Sequence, residues 1–343
     1  MKALVKTQKG AGNLELRDVP VPHPGPGEVL LQVLAVGICG TDLHIRDDLF
    51  PYWPPVTLGH EFCGRVAELG PGVTRVAEGD RVVGEPHAKA CGYCYLCRTG
   101  NIQICASKRC TGEWTDGAMA EYLVMPEVLL HKLPAGISDI AGAVMEPMAN
   151  AVHDVLERAR VEAGDLVVVI GPGPIGLLAA MAARAGGARQ VLVVGTNSDE
   201  AIRLPKAKEL GFTAVNVQKE DPADWVARLT DGIGADLVVE CSGSPGGIAS
   251  TVSLTRKKGR ICAIGLPGDQ PIVFPYKQAA FKVCDVFFCL STSYTSWVKA
   301  IQLTASGQMT PEAVVTHTRP LTDWEFVFCE IDHQRALKGI LIP

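Results

Sequence analysis

Residues 28–37, EVLLQVLAVG, form a run rich in Val and Leu that predicts a strand. The polar stretch Ile38-Cys39-Gly40-Thr41-Asp42-Leu43-His44 then opens a short helix. Between residues 58 and 84, Gly59, Gly64, Gly70, Gly72, Gly79 and Gly84 punctuate short apolar pieces such as Val66-Ala67 and Val82-Val83. That pattern predicts short strands with tight turns, arranged as a small barrel. The character changes near residue 150. Leu166–Ile170 is a continuous apolar run, as expected for a strand buried on both faces of a parallel sheet. An Ala-rich helix over 175–185, a strand over 190–194 and a helix over 199–210 follow, then strands over 236–240 (DLVVE) and 260–264 (RICAI). This alternation predicts a doubly wound α/β domain beside the β-rich one. The last sixty residues are mixed, again with short strands, and no internal repeat or low-complexity tract is present.

A length of 343 residues suits two hydrophobic cores better than one. The 47% hydrophobic and 20% charged fractions place the chain among folded globular proteins and exclude a disordered one. Thirty-two basic against 37 acidic residues give a net charge of -5, which argues against nucleic-acid or anionic-membrane partners. MKALVKTQKG lacks the apolar core of a secretory signal, and no run reaches eighteen consecutive apolar residues. A cytoplasmic protein is therefore expected. In a reducing compartment, clustered cysteines are metal ligands or reactive thiols rather than disulfides.

Twelve cysteines change the picture because they are unevenly placed. Cys91, Cys94, Cys97 and Cys105 lie within fifteen residues, with two-residue gaps that turn successive thiolates onto one cation. A closed four-thiolate site is the usual form of structural zinc. A metal-free thiol-rich loop and an iron–sulfur site are the competing readings. Gly92 relieves the tight turn, and zinc would supply folding free energy to a loop-rich lobe over about 88–110. With no open coordination position, the site is assigned no chemistry. Cys63, Cys110, Cys241, Cys262, Cys284, Cys289 and Cys329 show no ligand spacing and read as small apolar packing residues.

Gly171-Pro172-Gly173-Pro174-Ile175-Gly176 directly follows a predicted strand and opens a predicted helix. Gly171 permits the turn, Gly173 admits a pyrophosphate to the backbone, and Gly176 lets helix and strand pack closely. The competing reading is a ligand-free glycine turn. The second strand ends Val193-Val194-Gly195-Thr196-Asn197-Ser198, without the carboxylate that usually bonds an NAD ribose. Gly195, Thr196, Asn197 and Ser198 leave room for a 2′-phosphate with Arg203 as its cation, so NADP or dual use is favoured. Alternatively, Asp199 reaches the ribose through a longer loop.

Cys39, His60, Glu61 and Glu146 supply one thiolate, one imidazole and carboxylates, the ligand types of a catalytic zinc that keeps an open position. Gly37-Ile-Cys39-Gly and Gly59-His60-Glu61-Phe-Cys-Gly64 each set candidate ligands between glycines. With these segments, Thr41-Asp42, Gly79-Asp80-x-Val82, the four-cysteine lobe and the glycine turn in this order, the chain resembles the zinc-dependent medium-chain alcohol dehydrogenases. The segment from Glu146-Pro147 through Asn150 to His153, and Gly84-Glu85-Pro86-His87, are similar to the sorbitol (polyol) and L-threonine dehydrogenase branch.

The resemblance implies a GroES-like catalytic domain over 1–150 and 287–343, interrupted by a Rossmann domain over 151–286, with the active site in the cleft between them. It implies a homotetramer or homodimer that uses zinc, two per chain, and NAD(P). Cys39, His60 and Glu61 would hold the catalytic zinc, with Glu146 ligating or holding its water. Thr41 would take the substrate hydroxyl proton and His44 pass it on, while His87, Glu146 and Thr292 face substrate. Cys241, Ile264, Gly265 and Leu266 join the glycine turn as cofactor contacts. Where polyol dehydrogenases carry an Arg-Tyr pair, this chain reads Leu290-Ser-Thr292-Ser-Tyr294-Thr-Ser-Trp297, a hydroxyl-rich stretch. The expected substrate is thus a small alcohol, a secondary alcohol of a polyol, sugar or cyclitol, with L-threonine second. A non-catalytic, zinc-stapled dinucleotide-binding protein is the reading from another class.

Overall fold

The strand Glu28–Gly37 is buried at seven of its ten positions, and both of its edges are occupied. Glu61–Leu69 runs antiparallel along one edge. Tyr122–Pro126 and then Lys338–Ile342 share the other. Arg81–Gly84, Leu130–Lys132 and Val315–Pro320 extend this to seven strands. A second sheet orders Leu14–Asp18, Lys2–Lys6 and Val56–Thr57. Leu4, Leu31, Phe62, Val82, Met119, Met125 and Phe328 belong to one core that joins the two sheets. This is the expected β-rich fold.

The computed structural model describes residues 1–268 and 271–343. It divides into Met1–Glu146 with Thr292–Pro343, and Pro147–Ser291. The expected limits at 150 and 287 therefore stand against 146 and 292.

In Pro147–Ser291 six strands pair in parallel, ordered Thr213–Asn216, Gln190–Gly195, Leu166–Ile170, Ala235–Glu240, Thr255–Ala263, Asp285–Phe288. Numbered within the unit this is 3-2-1-4-5-6, the dinucleotide-binding order. Leu166–Ile170 is wholly buried between two neighbours, which is why its sequence is apolar without alternation. Two expected elements start elsewhere. The helix expected from 199 begins at Arg203, because Asn197–Asp199 forms its own capped turn. Pro205 is tolerated there since first-turn N–H groups have no partner within the helix. The strand expected from 260 begins at Thr255, but its pairing is irregular until Arg260, so only the later part carries the regular apolar signal.

Candidate metal centre and cofactor crevice

Cys39 ends the turn after Glu28–Gly37 and caps the helix Gly40–Arg46. Its backbone N–H donates to Asp42 Oδ2 at 2.8 Å, and Gly59 N–H donates to Asp42 Oδ1 at 3.2 Å. Buried Asp42 thus ties the Cys39 turn to the His60 turn. Cys39 Sγ, a His60 ring nitrogen and a Glu61 carboxylate oxygen lie within 4.8 Å of one another. His60 Nδ1 is buried without a hydrogen-bond partner among the described residues. Burial opposes charge on His60, yet Cys39, Asp42 and Glu146 together push its imidazolium well above the ordinary range. A buried ring nitrogen without a partner, amid concentrated negative charge, fits a divalent cation.

Glu61 is almost fully buried and ion-paired with Lys338, whose ammonium also donates to Ile38 O at 2.8 Å. Lys338 opens the strand that pairs with Glu28–Gly37, so the sheet itself delivers this cation. Burial resists its charge, but Glu61 and then Cys39 hold its pKa above the ordinary value. Glu146 lies in the first turn of Met145–Val152, outside the mutually close trio. Thr41 Oγ1 is 3.7 Å from Cys39 Sγ. His44 follows one turn later on the same helix and is exposed.

His87 and Thr292, 205 positions apart, meet at 3.3 Å between Nε2 and Oγ1. Trp297 Nε1 donates to Thr292 Oγ1 at 2.9 Å, and Trp297 stacks on His131, which bonds Glu85 at 3.0 Å. Burial, with Lys108 adding to it, lowers the His87 imidazole to about 3, so it is neutral at ordinary pH. Its Nδ1 is buried and has no hydrogen-bond partner among the described residues. Burial raises the Glu113 carboxyl above its usual range, against the opposing pull of His60 and Lys108. Sequence reasoning missed Lys338, Lys108 and Glu113, which sit in no motif, and gave Trp297 no role although it closes the hydroxyl-rich stretch.

In the cysteine lobe, Sγ–Sγ distances are 3.8 Å for Cys91–Cys97, 3.9 Å for Cys94–Cys105 and 3.6 Å for Cys91–Cys105. Four sulfurs about 2.3 Å from one zinc stand about 3.8 Å apart, so the set fits a tetrahedral ion. The amides of Cys94 and Cys97 each donate to a sulfur at 3.4 Å. Amide donation of this kind supports thiolate ligands. Amide hydrogen bonding brings the Cys105 thiol down to about 6.

The glycine turn joins Leu166–Ile170 to the helix Pro174–Ala185, with Gly173 as cap and Pro174 first in the helix. Gly171 takes φ +98°, and a Cβ on Gly176 would stand 1.9 Å from Gly171 O. Gly171, Gly195, Thr196 and Asp199 line a crevice of about 890 Å³ that also touches Gln218, Lys219 and Ser242. Ile175 and Gly176 start the helix behind this turn. Cys241 N–H donates to Ile170 O at 2.8 Å, and Ile264 and Gly265 N–H both donate to Glu240 O at 2.9 Å. Leu266 is exposed. Asp199 Oδ2 accepts Thr196 N–H at 2.8 Å and its Oδ1 pairs with Arg203 at 3.2 Å. Asn197 is held by Gln218 and Asn216 at 2.7 Å each.

Residues 25–135 match the Alcohol dehydrogenase GroES-like domain family, and residues 174–306 match the Zinc-binding dehydrogenase family. Sorbitol dehydrogenase from Halalkalibacterium halodurans is 39% identical, covering 100% of this chain and 99% of that protein. L-threonine 3-dehydrogenase from Bacillus licheniformis is 37% identical over 100% and 99%. The structure of alcohol dehydrogenase TADH from Thermus sp. ATN1 superposes with a TM-score of 0.90 at 31% identity, covering 100% and 99%.

Proposed function

Since this chain belongs to the zinc-dependent medium-chain alcohol dehydrogenase family, we propose that it oxidises a secondary alcohol of a polyol, sugar or cyclitol to the ketone. The observation that carries the reading is the buried Cys39–His60–Glu61 trio, with a histidine nitrogen that has no partner within the described protein. Zinc on this trio supplies Lewis acidity at the substrate hydroxyl, and NAD(P) supplies the hydride acceptor. Thr41, beside Cys39, would relay the hydroxyl proton, accepting it while giving up its own, and exposed His44 one turn on would pass a proton to solvent. Glu146 adds negative charge at His60 and serves as ligand or as water holder.

Neutral His87 and Thr292 present uncharged polar atoms suited to substrate hydroxyls. Lys108 and Glu113 carry opposite charges near this region, which is the one observation favouring L-threonine as a second substrate class. Burial pulls Glu113 towards its neutral form, which weakens its hold on an ammonium and leaves polyols first. The dehydrogenase relatives set aside the non-catalytic reading. The deciding experiment is a panel of polyols, sugars, cyclitols and L-threonine, each with NAD and with NADP. The highest kcat/KM on L-threonine, or turnover confined to primary alcohols, would overturn the proposal.

The unit holding the trio is read as the catalytic domain and Pro147–Ser291 as the cofactor domain, with two zinc ions per chain. Asp199 is engaged by its own turn and by Arg203, which supports NADP or dual use. Gly173, Pro174, Ile175 and Gly176 present the helix N-terminus to the pyrophosphate; Cys241, Ile264, Gly265 and Leu266 are read as lining the nicotinamide side. A homodimer or homotetramer is supported by the edge strand Asp285–Phe288, which has one neighbour among the described residues and lies among exposed Phe281, Val283, Phe288 and Leu290. Twelve cysteines, none joined in a disulfide, support a cytoplasmic setting.

A further inference from the structure

Three cysteines outside both metal sets gather at one end of the parallel sheet. Cys241 follows Ala235–Glu240, Cys262 is near the end of Thr255–Ala263, and Cys289 follows Asp285–Phe288. Cys262 is the register partner of Phe287, and the pairing extends one step further through Cys289 N–H to Ala263 O at 3.2 Å. Side chains alternate along a strand, so Phe287 and Cys289 share a face with Cys262 while Phe288 and Leu290 take the other. The two sulfurs are consequently 3.7 Å apart. A disulfide needs about 2.05 Å, so closure asks for a movement under about 2 Å.

The two thiols differ in surroundings. Cys262 is fully buried and lies 3.5 Å from Asp154 O. Cys289 is half-buried, and the adjacent Arg158 guanidinium donates to Phe288 O at 3.4 Å. The sulfur–sulfur contact with Cys262, helped by Arg158, holds the Cys289 thiol below its ordinary value. The same contact, with burial, pushes Cys262 well above it. A partly accessible thiol with a lowered pKa touching a buried thiol with a raised one is the arrangement of an attacking and a resolving cysteine. Spacing assigns both to packing; the register shows that they are also a pair.

We propose that Cys262 and Cys289 are an oxidative modification site that hydrogen peroxide closes to a disulfide. The Cys289 thiolate attacks a peroxide oxygen, the O–O bond breaks, and hydroxide leaves, giving a sulfenic acid. Cys262 sulfur then attacks Cys289 sulfur, the S–O bond breaks, and water leaves as Cys262 gives up its proton. Two thiols are oxidised and one peroxide is reduced to two waters.

The test treats the zinc-loaded, assembled enzyme with hydrogen peroxide, alkylates the remaining thiols and maps peptides without reduction. The expected product joins the Cys262 and Cys289 peptides, lighter by two hydrogens, and separates with dithiothreitol. In Cys262→Ser, Cys289 should persist as a sulfenic acid trapped by dimedone. If both thiols stay alkylatable once exposed Cys329 is oxidised, or if Cys289 is found joined to Cys241, the proposal fails. Mapping of the unmodified sequence decides this even if the variant does not fold.

Discussion

Lys338 and Glu61 face each other with almost no access to solvent. Removing one partner of a buried ion pair leaves the other charge uncompensated, at a cost of about 3–5 kcal/mol. Lys338→Met should therefore lower the urea midpoint by that equivalent, while Lys338→Arg keeps most of it. Cys39→Ser should remove turnover yet leave melting near the unmodified value, because the cap position of a seven-residue helix tolerates serine. An active Cys39→Ser protein would sink the ligand assignment. His87 supplies a pH dependence. Burial sets its folded pKa at about 3, below the ordinary 6.5, so the unfolded chain takes up a proton first as pH falls. Its contribution is whole above about pH 6.5 and is lost progressively towards pH 3, up to about 4 kcal/mol. Denaturant melts of His87→Asn should show a shallower acid loss than the parent over that window; identical slopes would refute it.

The glycine turn and the cysteine lobe are elements whose instructions lie within a few residues. Their geometry is legible from spacing alone, because each needs only a tight turn and its own short segment. A Cβ on Gly176 would collide with the Gly171 carbonyl, so Gly176→Val should lower both melting temperature and NAD(P)H affinity in fluorescence titration. Cys94→Ser should cost melting temperature and one zinc, the lobe losing its cation before activity is affected through any direct contact. Other elements are less legible. The strand beginning at Thr255 hides its first residues behind an irregular pairing, and the helix beginning at Arg203 is displaced by the Thr196–Asp199 turn. Lys338 and the Trp297–His131–Glu85 stack escape notice because their partners come from other strands and helices. No window along the chain contains both halves of such a contact.

For the whole molecule, two domains are legible from length, and the change from glycine-punctuated strands to strand–helix alternation marks where the second begins. The seven-stranded sheet takes Val315–Pro320 and Lys338–Ile342 from beyond the second unit, which mixed C-terminal patterning does not announce. Elemental analysis of the purified protein should find two zinc per chain, falling to one in Cys39→Ser. Light scattering should give a dimer or tetramer, and Phe288→Glu should shift it towards monomer; a monomeric parent would remove the oligomer reading.

The pairing of Lys338 with the first unit also sets an order of events during synthesis. Its ammonium reaches the Ile38 carbonyl across 300 positions, after every residue of Pro147–Ser291 has been made. Until then the emerging first unit carries Glu61 without its counter-charge and Glu28–Gly37 without the strand Lys338–Ile342 on its edge. A ribosome-stalled chain halted before Lys338 would hold a folded parallel sheet and an unfinished seven-stranded sheet. The parallel-sheet unit can thus fold while the chain is still being translated, and Glu61 gains its counter-charge only afterwards.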